Sequence, residues 1–367
     1  MKYLQSVHND LPVGEVKMTN EQMCEAIGIK PDSRFTRTSL LGTLALKEAL
    51  ESAGIDNEAD GHISLISGTT VGGMDKSEEF FAQCMLDGAD VDFIKTHDCG
   101  ITTEFALDFF PCFDQTTTVS TACSSAANAI IFGANLIRTG RYEIAVVGGS
   151  ECISKFHLNG FNSLMILDKE PCRPFDASRA GLNLGEGAAY LVIESEDSVR
   201  IRGVKPFCEL KGYGNACDAY HQTASSPDGA GAWMAMNKAL KDSGLDASEI
   251  DYVNAHGTGT PNNDLSEGIA LERVFGKGNV PPVSSTKAYT GHTTSASGAI
   301  EAVISILALR NGFYPVNLNF NTRIDGLSFD PVTCETPVRE IKNVLSNSFG
   351  FGGNDSSVIF SKVGEEM

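Results

Sequence analysis

The sequence predicts an α/β fold built from two similar halves, roughly residues 1–200 and 201–367, each a mixed sheet covered by helices. Three observations carry this. Two blocks of sequence recur in the same order, strand-like runs alternate with helical segments, and no low-complexity linker divides the halves. The halves are therefore expected to form one compact unit.

The first repeated block is Lys47-Glu48-Ala49-Leu50-Glu51-Ser52-Ala53-Gly54-Ile55-Asp56, which returns as Asn237-Lys238-Ala239-Leu240-Lys241-Asp242-Ser243-Gly244-Leu245-Asp246. Each copy reads as a helix end, with glycine at the C′ position where a left-handed backbone costs little. A strand and a Gly/Thr turn follow in both, over residues 63–70 and 252–258. The second block, residues 125–140, aligns without gaps on 297–312. Both copies are dense in small and aliphatic residues, the pattern of a helix buried on nearly all sides. Chance likeness between two amphipathic helices is the weaker account, because two blocks recur in one order. Further strands are expected over 116–119, 143–147, 188–194, 343–348 and 356–361.

Bulk properties narrow the function. A net charge of −19 disfavours nucleic-acid binding, which needs a basic footprint. No apolar run approaches the ~20 residues of a membrane-spanning helix. Residues 1–8 lack the apolar core of a secretory signal, so a cytoplasmic address and no membrane partner are expected. Ten cysteines in that setting read as thiols, and the absence of any C-x-x-C pair leaves a metal site without support. Most, such as Cys24, Cys84, Cys112 and Cys334, read as small core hydrophobes.

Cys123 differs by its context. The run from Thr116 through Val119, Ser120, Thr121 and Ala122 to Cys123-Ser124-Ser125-Ala126-Ala127 reads as a strand, a tight turn and a buried helix. At that junction the free N–H groups and positive end of the helix are expected to lower the thiol pKa and favour the reactive thiolate. They also offer a backbone donor to an oxyanion. Two of the seven histidines sit beside glycine turns: His256 in Asn254-Ala255-His256-Gly257-Thr258-Gly259-Thr260, and His292 in Thr286-Lys287-Ala288-Tyr289-Thr290-Gly291-His292. Strand-end loops are where an α/β fold usually builds its site. Asn347-Ser348-Phe349-Gly350-Phe351-Gly352-Gly353-Asn354 is a third glycine-rich turn.

These four segments, in this order and with Arg173-Pro174-Phe175-Asp176 and Gly185-Glu186-Gly187, resemble the β-ketoacyl-(acyl carrier protein) synthases of the elongating Cys-His-His type. The recognisable stretch runs from about Arg34 to the end. The resemblance implies the thiolase fold: duplicated βαβαβαββ halves in a five-layer αβαβα sandwich, with Cys123 in one half and both histidines in the other. It implies decarboxylative Claisen condensation of an acyl-enzyme thioester with malonyl-acyl carrier protein, giving 3-oxoacyl-acyl carrier protein in fatty-acid or polyketide and polyene synthesis. By position, Cys123 would take the acyl chain. His256 and His292 would bind the malonyl thioester carbonyl and stabilise the enolate left by CO₂. The N–H groups of Cys123 and Phe351 would form the oxyanion hole, with Phe351 also gating entry. Lys287, paired with Glu301, would hold the histidines, and Thr258 and Thr260 would bind the phosphopantetheine arm. No bound cofactor is implied, since the carrier's phosphopantetheine brings the substrates. The implied partners are acyl carrier protein and a second subunit, in a homodimer or in a heterodimer with a chain-length-factor-like chain. Acyl carrier proteins are acidic, so docking requires a local basic patch that the sequence does not locate.

Two departures stand out. Family members open with an apolar strand, a Thr-Gly turn and a Pro-Leu-Gly stretch, whereas this chain opens Met1-Lys2-Tyr3-Leu4-Gln5-Ser6-Val7-His8. The first strand is therefore expected to be replaced, shortened or lost. Gly181-Leu182-Asn183-Leu184-Gly185 also differs from the usual Gly-Phe-Val form. Other readings fit less well. An initiating synthase would carry asparagine in place of His292, a thiolase would need a second catalytic cysteine near the C-terminus, and a non-catalytic partner or scaffold would lack Cys123.

Overall fold

The N-terminal half builds a four-stranded sheet. A two-residue strand β1 (Val13–Gly14) precedes β2 (Ile63–Gly68), β3 (Phe113–Val119), β4 (Ile144–Glu151), β5 (Leu184–Gly185) and β6 (Gly187–Glu194). Strands β3, β2 and β4 run parallel in that order, and β6 closes antiparallel on β4. β1 lies apart, parallel to β5. The C-terminal half adds β7 (Glu209–Cys217), β8 (Tyr252–Asn254), β9 (Val283–Ser284), β10 (Asn343–Gly350) and β11 (Asn354–Ser361), ordered β7-β11-β10-β8-β9. The computed structural model describes residues 2–4, 6–56, 62–87, 92–335 and 340–364.

The duplication reaches the register. Ile144 faces Glu194 and Glu151 faces Gly187 across β4 and β6, just as Asn343 faces Ser361 and Gly350 faces Asn354 across β10 and β11. One edge breaks the symmetry. β7 covers the outer side of β11, but among the described residues no strand covers the outer side of β6.

Five helices complete the layers: α1 (Arg37–Ala53), α2 (Ser125–Arg138), α3 (Ala230–Ser243), α4 (Pro261–Phe275) and α5 (Ser297–Asn311). α1 covers the outer face of the first sheet, α2 and α5 lie back to back between the sheets, and α3 with α4 covers the second. That stacking is the αβαβα sandwich. The repeated helix ends form as their sequences dictate, with Gly54 and Gly244 both left-handed caps. The central helices approach closely because they are small-residue-rich: a Cβ on Gly298 would lie 2.7 Å from the Ala127 nitrogen. Between the sheets Ile66, Ile130, Val147, Tyr252, Val344 and Phe360 form one buried core spanning both halves. Among the described residues, no helix is long and apolar enough to cross a membrane.

Candidate active site

Cys123 stands on an elbow made by its neighbours. β3 ends at Val119 and α2 begins at Ser125, so the chain must reverse within five residues. Ala122 takes a left-handed conformation, φ +53°, which costs a residue with a Cβ about 1–2 kcal/mol. Short polar side chains hold it there. The Thr121 N–H donates to Ser125 Oγ (2.9 Å), Ser125 Oγ donates to the Ala122 carbonyl (2.6 Å), and Ser124 Oγ to the Thr121 carbonyl (2.8 Å). Strain sustained by surrounding bonds is characteristic of functional turns.

Both histidines reach the elbow from the other half. His256 follows β8, and its N–H and that of Gly257 donate to the Glu267 carboxylate of α4 at 2.9 and 2.8 Å. His292 follows a helical turn and Gly291, where a Cβ would lie 2.5 Å from the Leu184 carbonyl oxygen. The His292 N–H donates to the Asn183 carbonyl (2.7 Å), and the Gly185 N–H donates back to the His292 carbonyl (3.0 Å). These bonds place His292 Nε2 3.1 Å from Cys123 Sγ, with the His256 ring edge-on to the His292 ring at 5.3 Å. Behind them Lys287 Nζ lies 3.4 Å from His256 Nδ1 and forms a buried ion pair with Glu301 of α5. Ser297 Oγ sits 2.9 Å from His292 Nδ1.

Burial governs the electrostatics. It holds both imidazoles well below the usual histidine value, with the Lys287 charge adding to the effect, so both rings are neutral at pH 7. Burial also pushes the Glu301 carboxyl up to about 7, opposed by Lys287. The Cys123 thiol departs from the sequence expectation of a lowered pKa. Its enclosure, at 5% exposure, pushes it up to about 11 and outweighs Lys287 and the Phe351 backbone N–H, which favour the thiolate. A thiol so held needs a proton acceptor at hand, and His292 Nε2 is placed as one.

Phe351 stacks on Phe161 at 5.7 Å, at the start of the glycine turn after β10. Gly350 lets that turn lie on the elbow, since a Cβ there would stand 3.0 Å from the Cys123 nitrogen. Thr258 and Thr260 bond each other through their hydroxyls at 2.8 Å, and Thr260 also caps α4. The structure thus gathers Cys123, His256, His292, Lys287, Glu301 and the Phe351 backbone into one contact chain, with the threonine pair on the loop that follows His256. Among the described residues, no group of three or more His, Cys, Asp or Glu side chains is placed to hold a metal ion.

Comparison with known proteins shows the family. Residues 7–198 match the β-ketoacyl synthase N-terminal domain, and residues 207–321 match the corresponding C-terminal domain. The chain belongs to the β-ketoacyl synthase family. It is 34% identical over 363 residues to the 3-oxoacyl-[acyl-carrier-protein] synthase 2 of Staphylococcus aureus, covering 95% of this chain and 87% of that one. It is also 40% identical over 267 residues to a putative mitochondrial 3-oxoacyl-[acyl-carrier-protein] synthase of Schizosaccharomyces pombe, covering 69% of this chain and 62% of that one. The latter alignment thus spans less than two thirds of the relative's length. Among solved structures, the ishigamide ketosynthase/chain length factor superposes with a TM-score of 0.89 at 29% identity, covering 95% of this chain and 87% of that one. The ketosynthase likeness begins at residue 7, well before the Arg34 start expected from the motifs.

Sequence reasoning passed over residues that hold the ketosynthase site in place. Glu267 and Asp264 are the clearest: Asp264 accepts from Gly259 N–H (3.1 Å) and Phe175 N–H (2.7 Å), fixing the threonine loop and the Arg-Pro-Phe-Asp segment. Their i, i+3 spacing just after the His-Gly-Thr-Gly-Thr loop puts both on the first turns of one helix, a signal present in the sequence. Asn183 lies in the stretch noted as departing from the family form. Its side chain bonds the Cys172 N–H (2.7 Å) while its carbonyl holds His292.

Proposed function

We propose that this chain catalyses decarboxylative condensation of an acyl group on Cys123 with a malonyl thioester, giving a 3-oxoacyl thioester, with both substrates delivered on acyl carrier protein. The observation that carries the reading is the 3.1 Å approach of His292 Nε2 to Cys123 Sγ, with neutral His256 beside it.

In the first half-reaction Cys123 Sγ attacks the incoming thioester carbonyl. Its proton passes to His292, and the oxyanion is met by the Cys123 and Phe351 N–H groups. Collapse expels the phosphopantetheine thiol, which leaves with the proton and restores neutral His292. In the second, the malonyl carbonyl oxygen lies between the two imidazoles. The Lys287 ammonium only donates, so His256 Nδ1 accepts from it and Nε2 carries the proton toward the substrate. Loss of CO₂ leaves an enolate whose oxygen accepts from His256 Nε2–H, and from His292 once its single proton has shifted from Nδ1, beside Ser297 Oγ, to Nε2. Its carbon attacks the acyl-Cys123 carbonyl, and collapse frees the thiolate and the 3-oxo product. Thr258 and Thr260, near the His256 loop, suit the amides of the phosphopantetheine arm. Phe351 on its glycine turn suits a gate.

The likeness to a ketosynthase/chain length factor favours a second reading of assembly, in which this chain is the catalytic half of a heterodimer instead of a homodimer. Incubating the protein with acyl- and malonyl-carrier proteins tests the chemistry. Mass spectrometry should find a carrier-bound product two carbons longer than the primer and bearing a 3-oxo group. CO₂ release without chain extension, or no turnover by folded protein, would contradict it.

A further inference from the structure

In the proposed mechanism His292 plays two opposite parts. When Cys123 attacks, Nε2 must be free to take the thiol proton, so the single proton of the neutral ring sits on Nδ1. When the malonyl group loses CO₂, Nε2 must carry the proton toward the enolate oxygen, and Nδ1 is bare. Such a ring needs a neighbour at Nδ1 that both accepts and donates. His256 has no such neighbour: Lys287 Nζ, 3.4 Å from its Nδ1, only donates, so that ring keeps its proton on Nε2.

The neighbour of His292 is Ser297, buried at the start of α5 just after the short helical turn Thr294–Ala296. Its Oγ lies 2.9 Å from His292 Nδ1 and 3.1 Å from Oγ1 of Thr293, which is buried as well. A hydroxyl donates or accepts and rotates to suit. With the proton on Nδ1, Ser297 Oγ accepts from the ring and donates to Thr293. With Nδ1 bare, Thr293 donates to Ser297 and Ser297 donates to the ring. Both arrangements make the same two bonds, and neither leaves Nδ1 unpaired in a buried site.

The internal repeat supplies a contrast. Residues 297–312 align on 125–140, so Ser297 corresponds to Ser125. Ser125 Oγ accepts from the Thr121 N–H at 2.9 Å and donates to the Ala122 carbonyl at 2.6 Å. Both partners are backbone groups of fixed polarity, so Ser125 can only brace. Among the described residues, no backbone group bonds Ser297 Oγ, Thr293 Oγ1 or His292 Nδ1. The backbone around them is held by other bonds. Ser295 Oγ donates to the buried Glu151 carboxylate at 2.6 Å, and the Ala296 N–H donates to the Thr293 carbonyl at 3.1 Å.

We propose that Ser297 is a positioning residue that lets His292 change tautomer between the two half-reactions. The inference rests on the proposed function. The ring holds one proton throughout: Nδ1 loses the proton that Nε2 gains, with water as the carrier.

Ser297→Ala removes the partner of Nδ1. A buried N–H without an acceptor is the costlier orphan, so the variant should settle on the Nε2–H tautomer. Single-turnover acylation, which needs Nε2 as base, should then fall at least tenfold, while CO₂ release by enzyme already acylated changes less than about threefold. Ser297→Thr restores a hydroxyl and should recover acylation. Nitrogen-15 spectra of histidine-labelled protein read the tautomers, with His292 assigned by its absence in His292→Asn. Native His292 should show both tautomers across the free and acylated states, and His256 only Nε2–H. In Ser297→Ala, His292 should show only Nε2–H. Equal loss of acylation and CO₂ release in Ser297→Ala, no recovery in folded Ser297→Thr, or a native His292 held in one tautomer in both states would overturn the proposal. If Ser297→Thr fails to fold, the native spectra decide. Both tautomers in native protein that neither acylates nor releases CO₂ would sink the proposed function and support the exchange at Ser297.

Discussion

The Cys123 thiol lies 3.1 Å from His292 Nε2, while His256 Nδ1 lies 3.4 Å from Lys287 Nζ, so the two imidazoles have different neighbours, and the proposed mechanism gives them different work. Burial and the Lys287 charge both hold the rings in the neutral, hydrogen-bond-donating form that an enolate requires. The sign of that second influence is testable. Protonation of either ring below pH 6.5 should switch off decarboxylation, so the acid limb of malonyl CO₂ release should lie below 6.5 in the native enzyme. Lys287→Ala removes a positive charge and should move the limb upward, toward 6.5. A limb that stays put or moves down would mean Lys287 does not act on the histidines. The residue types here were legible as a pattern, four motifs in order. The raised Cys123 pKa was not, because a helix N-terminus can be read from a sequence while full enclosure of a thiol by two halves cannot.

Among the elements, the turns rather than the strands decide the site. Gly350 has an ordinary backbone conformation, and glycine is needed there for space: a Cβ would lie 2.9 Å from the Thr121 carbonyl oxygen and 3.0 Å from the Cys123 nitrogen. Gly350→Ala should therefore push apart the Cys123 and Phe351 N–H groups, the proposed oxyanion donors, and reduce condensation at least tenfold. Its stability cost should be that of a local overpacking, about 1–3 kcal/mol. Gly140→Ala is the control. That glycine caps α2 at φ +68° with no atom near a would-be Cβ, so it should lose about 1 kcal/mol of stability and keep full turnover. Equal loss of turnover in both variants, measured beside urea denaturation curves, would contradict this. The five further strands expected from the sequence all form: four are extended by one to three residues at one end, and β4 begins one residue later and ends four residues later than expected. Strand ends are set by neighbours in the sheet, which a local apolar run does not reveal. The bracing carboxylates Asp264 and Glu267 escaped for a similar reason, since acidic residues in a helix's first turns usually read as solvated.

Across the whole molecule, buried titratable groups give stability a readable pH dependence. His256 and His292 have lowered values, so the unfolded chain binds more protons below 6.5 and their contribution is lost as pH falls through 6.5. Glu267 and Glu301, raised to about 7, and Asp355, raised to about 8 by burial and Asp218, act oppositely. The native state holds their protons, and stability is lost as pH rises from the ordinary carboxylate range through 7 and 8. From 6.5 to 8 only the carboxyls act, and stability should fall across that window. Asp355→Asn should flatten the fall by up to about 1.4 kcal/mol per pH unit between 7 and 8. An unchanged slope in urea titrations would show that Asp355 is not protonated in the native state. At this scale the duplication was legible from two repeated blocks.

In the proposed function Cys123 of one half carries the acyl chain while the histidines of the other half run the decarboxylation. The most direct test maps the acyl adduct after incubation with acyl-carrier protein and follows CO₂ release from malonyl-carrier protein, in native protein and in His256→Ala. The adduct is expected on Cys123 alone among the ten thiols. Acylation should stay near native level in His256→Ala, with CO₂ release reduced at least a hundredfold. An adduct on another cysteine, or acylation and CO₂ release lost together in His256→Ala, would contradict it.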